Sequence, residues 1–469
     1  MDFLTIVAAC AALVWIGWFV LRGSLVGGCL AVMIVSACFG YQFWHADGGL
    51  PLSADRGLIG LMAIAYIVHR RWGFNDPKPT GRADWVLLAL LVMLGISTFT
   101  HNWKGSATST PAAHWIFYWL MPAMIYWIVR QSPLDDRTVR RAWGALALFG
   151  VYLTFTALAE STGQWWAVFP SYICSPTTEF FGRARGPFLN PAEMGIYLMA
   201  GLLAALTFWS VLGRLGQLIL LAFTALTLAA VYATLTRCSW IGGGLGLAVF
   251  IGFSVPRSWR RLFLCLSAMG AITLFAAKWD SMWNIKRDVN LDAAASEESA
   301  ELRPILAEVA YQMFLDRPLW GCGFGQYDRE KLPYLADRSN SSLPLEKVIP
   351  YVQHNAFLAL LVETGLVGMC LFVLLLLLWL HSAWKIYRDP RTSAAVRQSG
   401  IMFMALVAAY LPTALFHDTN IMDGANLLMF LAAAIVSGLA ANAVPINTKK
   451  ENSSLHQRKP VPVLAAQSL

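Results

Sequence analysis

Uninterrupted apolar blocks set the rhythm of the chain. They fall near residues 3–20, 25–43, 56–70, 84–100, 112–130, 140–159, 190–210, 216–235, 238–255, 260–279, 353–380, 399–416 and 421–441. Each is close to the ~20 residues that an α-helix needs to cross a bilayer. Only Leu21, Arg22, Gly23 and Ser24 separate the first two, so one of that pair is expected to lie at the interface, and twelve crossings are predicted. Two long polar stretches interrupt the pattern, near 161–189 and 280–352. Within the second, Leu302, Ile305, Leu306, Val309, Met313 and Phe314 recur at helical spacing, Pro304 suits a first turn and Pro318 follows the end. That spacing predicts an amphipathic helix resting on the membrane surface or on the tops of the spans. The fold class is therefore all-α and polytopic. Transmembrane helices occupy 1–279, a large loop domain 280–352, further transmembrane helices 353–441 and a polar tail 442–469.

Composition agrees and removes other classes. With 57% hydrophobic residues, 13% charged residues and a mean hydropathy of +0.55, the chain is too apolar for a soluble globular protein. The net charge of +8 does not point to nucleic acid, because the basic residues sit in short clusters between apolar blocks. Arg70, Arg71, Lys78 and Arg82 fill one loop, Arg130, Arg137, Arg140 and Arg141 the next, and Arg257, Arg260 and Arg261 a third. Lys385, Arg388, Arg391 and Arg397 mark another, and the tail carries Lys449, Lys450, Arg458 and Lys459. Short loops rich in Lys and Arg stay in the cytoplasm. The alternation then puts both long loops on the opposite, periplasmic face and the tail inside. The Met-Asp-Phe start has no basic region, so a cleaved signal peptide is not expected. Six of the eight cysteines (Cys10, Cys29, Cys38, Cys238, Cys265, Cys370) lie in or beside apolar blocks and are read as small hydrophobes. Cys174 and Cys322, in the long loops, are the one pair that could form a bridge.

Polar residues beside these blocks are the candidate chemistry. His354 and Asn355 open the 353–380 block where the large loop gives way to apolar sequence. An imidazole at such a boundary can exchange a proton near neutral pH, or it can act as an interfacial cap; the residue alone fits both. Arg183 and Arg185 lead into the 190–210 block, Arg237 occupies the tight junction between two blocks, and Arg303 begins the amphipathic helix. All four fall on the outer face, where arginines are less expected, and a guanidinium fork suits a diphosphate. Snorkelling to lipid headgroups is the alternative for each. Arg287 and Arg317 are weaker candidates because Asp288 and Asp316 are adjacent. Glu193 and Glu363 are the acidic exceptions within spans, and Glu363 should pair with a polar partner. Gly321-Cys-Gly-Phe-Gly follows a helix and precedes no clear one, so it is read as a turn and not a nucleotide loop. No Walker, CxxCH or HExxH motif is present, and neither a metal nor a cofactor is indicated.

Together these residues resemble a known family. His354-Asn355, nine residues, Gly365, two residues and Gly368 look like the HNx9GxxG signature of bacterial O-antigen ligases, following a large outer loop as it does there. The Thr-Arg-Cys-Ser-Trp turn at 236–240 resembles the outward Ser/Thr-Arg turn of that superfamily. Arg303-Pro-Ile-Leu and Asp316-Arg-Pro-Leu-Trp-Gly-Cys-Gly-Phe-Gly resemble its large loop. The likeness spans roughly 180–370; the N-terminal third matches only as a set of spans. It implies a metal-independent, membrane-embedded (GT-C-like) glycosyltransferase in the bacterial inner membrane, with its active site facing the periplasm. The donor would be an undecaprenyl-diphosphate-linked O-antigen and the acceptor a sugar hydroxyl of lipid A-core. His354 would be the general base, and Arg183, Arg185, Arg237 and Arg303 would hold the diphosphate. Asn355 would orient a backbone group or a sugar. O-antigen polymerases and protein O-oligosaccharyltransferases share the superfamily. A lipid-linked-glycan transporter would show the same spans and arginines but has no use for a base at one mouth.

Overall fold

Helices form over the apolar blocks, and several start at a polar side chain that accepts the free amides of the first turn. The computed structural model describes residues 17, 23–40, 43, 45–46, 52–75, 77–105, 110–256, 258–261, 265, 293–336, 349 and 351–442. The blocks near 3–20 and 260–279, the start of the large loop, its 337–348 stretch and the tail from 443 lie outside the described residues. The helices are α1 (Leu25–Phe39), α2 (Ala54–Arg71), α3 (Arg82–Thr100), α4 (Pro111–Gln131), α5 (Asp136–Ser161), α6 (Pro191–Leu206), α7 (Arg214–Ala233) and α8 (Arg237–Ser254). Then follow α9 (Ala293–Asp316), α10 (Tyr327–Glu330), α11 (Leu332–Ala336), α12 (Ala356–Arg388), α13 (Ala394–Phe416) and α14 (Asp423–Asn442). Ser24, Asp135, Asn190 and Ser393 are the side-chain caps of α1, α5, α6 and α13. The described residues are all-helical apart from an antiparallel pairing of His45–Ala46 with Leu52–Ser53.

Among the described residues nine helices are long and apolar enough to cross a membrane: α3 to α8 and α12 to α14. Two expected crossings fall short of that standard. Helix α1 has 15 residues, a rise of about 22 Å, which is less than a ~30 Å hydrocarbon core. Helix α2 carries Asp55 and Arg56 at one end and His69, Arg70 and Arg71 at the other.

Small residues let the helices close up. Gly150 of α5 lies so near Gly201 of α6 that a Cβ on the first would stand 2.6 Å from the Cα of the second. Gly242 and Gly246 of α8 present bare backbone to the carbonyls of Ala409 and Ala405 in α13, and those two helices share the most extensive packing in the molecule. This is the close approach used between membrane helices, where no hydrophobic drive separates protein from lipid. Helix α14 is the central post, buried along nearly its whole length.

The two ends of the bundle differ. At one, Arg130 pairs with Asp84 at 2.7 Å, the Lys78 ammonium donates to Ser132 O, and Ser393 Oγ donates to Asp136. The Lys/Arg-rich loops 72–81, 132–135 and 389–393 thus gather there. At the other end lie the 162–190 loop, the α7–α8 turn, α9 to α11 and the 417–422 loop. The predicted amphipathic helix is α9, but it begins at Ala293, so Pro304 lies inside it and not in its first turn, and Arg303 does not begin it. Its Leu302, Ile305, Leu306, Val309 and Met313 form a core of their own with Cys322, Tyr327, Leu335 and Val362 of α12, so the helix rests on the top of a span. Cys174 and Cys322 are both free thiols, which corrects the possible bridge. Cys322 is buried in the α9 core, whereas Cys174 belongs to the 162–190 loop and points its thiol at Trp165 O.

Candidate active site

The framework of the site is a break in α12. Gly365 has φ 65° and ψ −166°, a region open essentially to glycine. The break removes the two helical bonds that would run from Leu366 N to Val362 O and from Val367 N to Glu363 O. All four groups find partners in the large loop. Cys322 N donates to Val362 O at 2.9 Å and Gly323 N to Glu363 O at 3.0 Å, while Leu366 N donates to Pro318 O at 2.9 Å and Val367 N to Leu319 O at 3.3 Å. The Glu363 carboxylate also accepts from Gly325 N at 3.0 Å, which is the polar partner expected for it. Gly321-Cys-Gly-Phe-Gly is accordingly a turn, and its glycines at 321, 323 and 325 all have positive φ. The 23 residues from Leu366 to Arg388 suffice to cross a membrane. Ala356–Thr364 is therefore a separate stub, and His354 stands further out than the sequence block suggested.

That stub begins at Asn355, whose side-chain oxygen accepts from Phe357 N and Leu358 N, both at 3.0 Å. Asn355 is the N-cap and orients backbone. Asn420 of the 417–422 loop donates to Ala356 O at 2.6 Å. His354, one residue earlier, has φ 50°, a left-handed conformation uncommon outside glycine. Its ring is half-buried, 6.2 Å from that of Tyr351. Burial and, second, the charge of Arg303 hold its pKa below the ordinary histidine value. Arg303 is exposed on α9, its guanidinium 5.3 Å from the Phe416 ring at the end of α13, and it also acts electrostatically on Arg237 at the start of α8. The structure thus brings together His354, Arg303 and Arg237, residues that are far apart in sequence.

Arg183 and Arg185 are placed differently. The Arg183 guanidinium is buried against the α7–α8 turn, donating to Thr234 O at 3.0 Å, Leu235 O at 3.4 Å and Thr236 Oγ at 2.6 Å. It braces the turn that presents Arg237. Arg185 is 1% exposed; it donates to the carbonyls of Ile173, Ser175, Thr178 and Glu179 and faces Glu160 at 4.0 Å. With those donors committed inside the 162–190 loop, direct contact with a diphosphate does not follow from this geometry. The expectation of four arginines on one anion reduces to two that face the site and two that build its surroundings.

Two residues went unnoticed in the sequence. Lys331 is 1% exposed, yet its ammonium donates to Asp328 at 2.9 Å and to Tyr351 O at 2.8 Å, steadying the segment that leads to His354. The Asp328/Lys331 spacing was the available signal. Asp418 is buried in the 417–422 loop, one carboxylate oxygen has no hydrogen-bond partner among the described residues, and burial pushes its pKa up to about 6. Nothing in the sequence distinguished it from a loop acid. Among the described residues no group of three or more His, Cys, Asp or Glu converges as a metal ligand set.

Comparison with known proteins meets this geometry at the same segment. Residues 222–373 match the family described as Wzy_C, O-antigen ligase, a stretch that contains Arg237, Arg303, His354, Asn355 and both signature glycines. The chain is also 22% identical over 317 residues to the exopolysaccharide production protein ExoQ of Rhizobium meliloti (strain 1021), a match covering 66% of this chain and 68% of that protein. The resemblance read from the sequence is thus supported. The chain is a multi-pass membrane protein with a segment similar to the O-antigen ligase family.

Proposed function

We propose that the protein transfers an O-antigen glycan from undecaprenyl diphosphate to a sugar hydroxyl of lipid A-core, at the periplasmic face of a bacterial inner membrane. The observation that carries this reading is the convergence of Arg237, Arg303 and His354 at the loop-bearing end, within the segment that matches the ligase family. A glycosyl diphosphate is already a good leaving group, and its departure needs charge stabilisation, which two guanidinium groups supply. The acceptor hydroxyl needs a base. Neutral His354 takes that proton as the hydroxyl oxygen attacks the anomeric carbon, the carbon–oxygen bond to the diphosphate breaks, and the leaving group departs with its electron pair. A single displacement inverts the anomeric centre. The low pKa of His354 keeps it in the neutral form that this role requires.

Polymerisation, with a second lipid-linked glycan as acceptor, is the alternative reading. An assay with purified protein, lipid-linked donor and lipid A-core separates the two. Ligation gives glycan coupled to lipid A-core, whereas polymerisation gives longer lipid-linked chains. Absence of both products, with donor merely moved across the vesicle membrane, would overturn the enzymatic reading in favour of transport.

A further inference from the structure

We propose that residues 315–320, at the end of α9 and in the turn after it, form a wedge that sits among phospholipid acyl chains at the loop-bearing end of the bundle. Leu315, Leu319 and Trp320 are 51%, 56% and 65% exposed, a contiguous apolar surface that a water-facing loop does not ordinarily carry.

Its depth follows from backbone contacts. Pro318 and Leu319 are hydrogen-bonded to Leu366 and Val367 at the break in α12. Just beyond them, Phe324 N donates to Ser97 Oγ at 2.9 Å, and Gly368 lies against Met93. The turn is therefore level with the last two turns of α3. That helix has 19 residues, a rise of about 28 Å, and a hydrocarbon core is ~30 Å thick. No turn of α3 can be spared to stand above the membrane, so whatever lies beside Met93 to Thr100 lies at acyl depth. Helix α3 itself exposes Trp85, Leu88, Val92, Ile96 and Phe99 at spacings of three and four along one stripe, the pattern of a helix face turned to lipid.

A second observation concerns the backbone. Irregular chain is tolerated at membrane depth only where its amide and carbonyl groups are satisfied. Here Pro318 O, Leu319 O, Cys322 N and Gly323 N are paired with the groups that the Gly365 break releases, and Gly321 N is bonded to Arg317 O. Two charges lie within the segment itself, and both are paired: Arg317 with Glu330 at 3.0 Å, and Asp316, which accepts from Tyr334 at 2.6 Å.

The test is independent of the reaction. The protein, with its cysteines replaced by serine or alanine, is spin-labelled at Trp320→Cys or Leu315→Cys in phospholipid vesicles. The label should be relaxed by oxygen several-fold more than by an aqueous nickel chelate. At Arg329→Cys the order should reverse. Equal access of the chelate to positions 320 and 329 would overturn the wedge and place the turn above the headgroups. If the cysteine-free chain does not fold, p-benzoylphenylalanine at 320 in the native chain should crosslink to phospholipid. Labelling that yields only intramolecular or water-quenched product would be equally decisive against the wedge.

Discussion

At the scale of single residues, the site depends on which arginines face it and on the state of one histidine. Burial and the Arg303 charge hold His354 below the ordinary value of about 6.5. As a base it works deprotonated, so activity should be flat above that value and fall as pH drops through the lowered pKa. Replacing Arg303 with Gln removes a like charge, so the acidic limb of kcat/KM should move to higher pH. Asp418 titrates near 6, and Asp418→Asn is the control that should leave the limb in place. His354→Ala should lower turnover by about 10²- to 10⁴-fold with donor binding retained. A Gln variant with substantial activity would reduce His354 to a cap. For the arginines, Arg237→Lys and Arg303→Lys should each cost about 2–4 kcal/mol in the transition state, with unfolding unchanged. Arg185→Ala should behave oppositely, losing about 3–5 kcal/mol of stability because Glu160 and four carbonyls are left without their cation. Denaturant unfolding beside single-turnover kinetics separates the two classes. Sequence reading found the histidine and the arginines because both are conspicuous beside apolar blocks, and it missed Asp418. It could not tell Arg185 from Arg303, since a guanidinium committed to its own loop and one facing a site look alike until the loop is closed.

At the scale of elements, the blocks located the described helices, with ends that differ by up to eight residues, because length and apolarity are what a membrane reads. The break in α12 was not legible: Leu360 to Leu380 is apolar apart from Glu363 and Thr364, and a glycine in such a run is ordinarily tolerated as helix. Its meaning comes from the loop that replaces the lost bonds, 40 or more residues upstream. Two signature positions thereby acquire a physical reason. Asn355 caps the stub, and Gly365 opens the helix so that residues 318–323 can dock on it. Gly365→Ala should therefore be costly, since φ 65° is strained for alanine and a Cβ would collide with the Leu319 carbonyl. A loss of about 1–3 kcal/mol from the backbone alone is expected, with the steric clash adding to it. Hydrogen exchange should show where it acts: the amides of Cys322, Gly323, Leu366 and Val367 should lose protection together while α13 and α14 keep theirs. Uniform loss across the bundle would mean that the break is not a separate joint.

At the scale of the whole molecule, function depends on which end of the bundle faces which compartment. The fold sorts the chain into one end where Lys78, Arg130 and the 389–393 turn meet, and another where Arg237, Arg303 and His354 meet. The sorting reproduces the alternation of basic and non-basic loops along the sequence. Since short basic loops are retained in the cytoplasm, the first end should be cytoplasmic and the second periplasmic. Single cysteines at Glu179 and Arg329, both exposed at the loop-bearing end, and at Arg71 and Arg391, exposed at the other, test this directly. A membrane-impermeant maleimide applied to intact spheroplasts should label 179 and 329 and spare 71 and 391 until the membrane is opened. The two pairs act as controls for each other, because each must react in one condition and not the other. The opposite pattern would turn the bundle over and put His354 and both site arginines in the cytoplasm. There the proposed base and diphosphate clamp would face neither the finished lipid-linked glycan nor its acceptor, and ligation at this site could not stand.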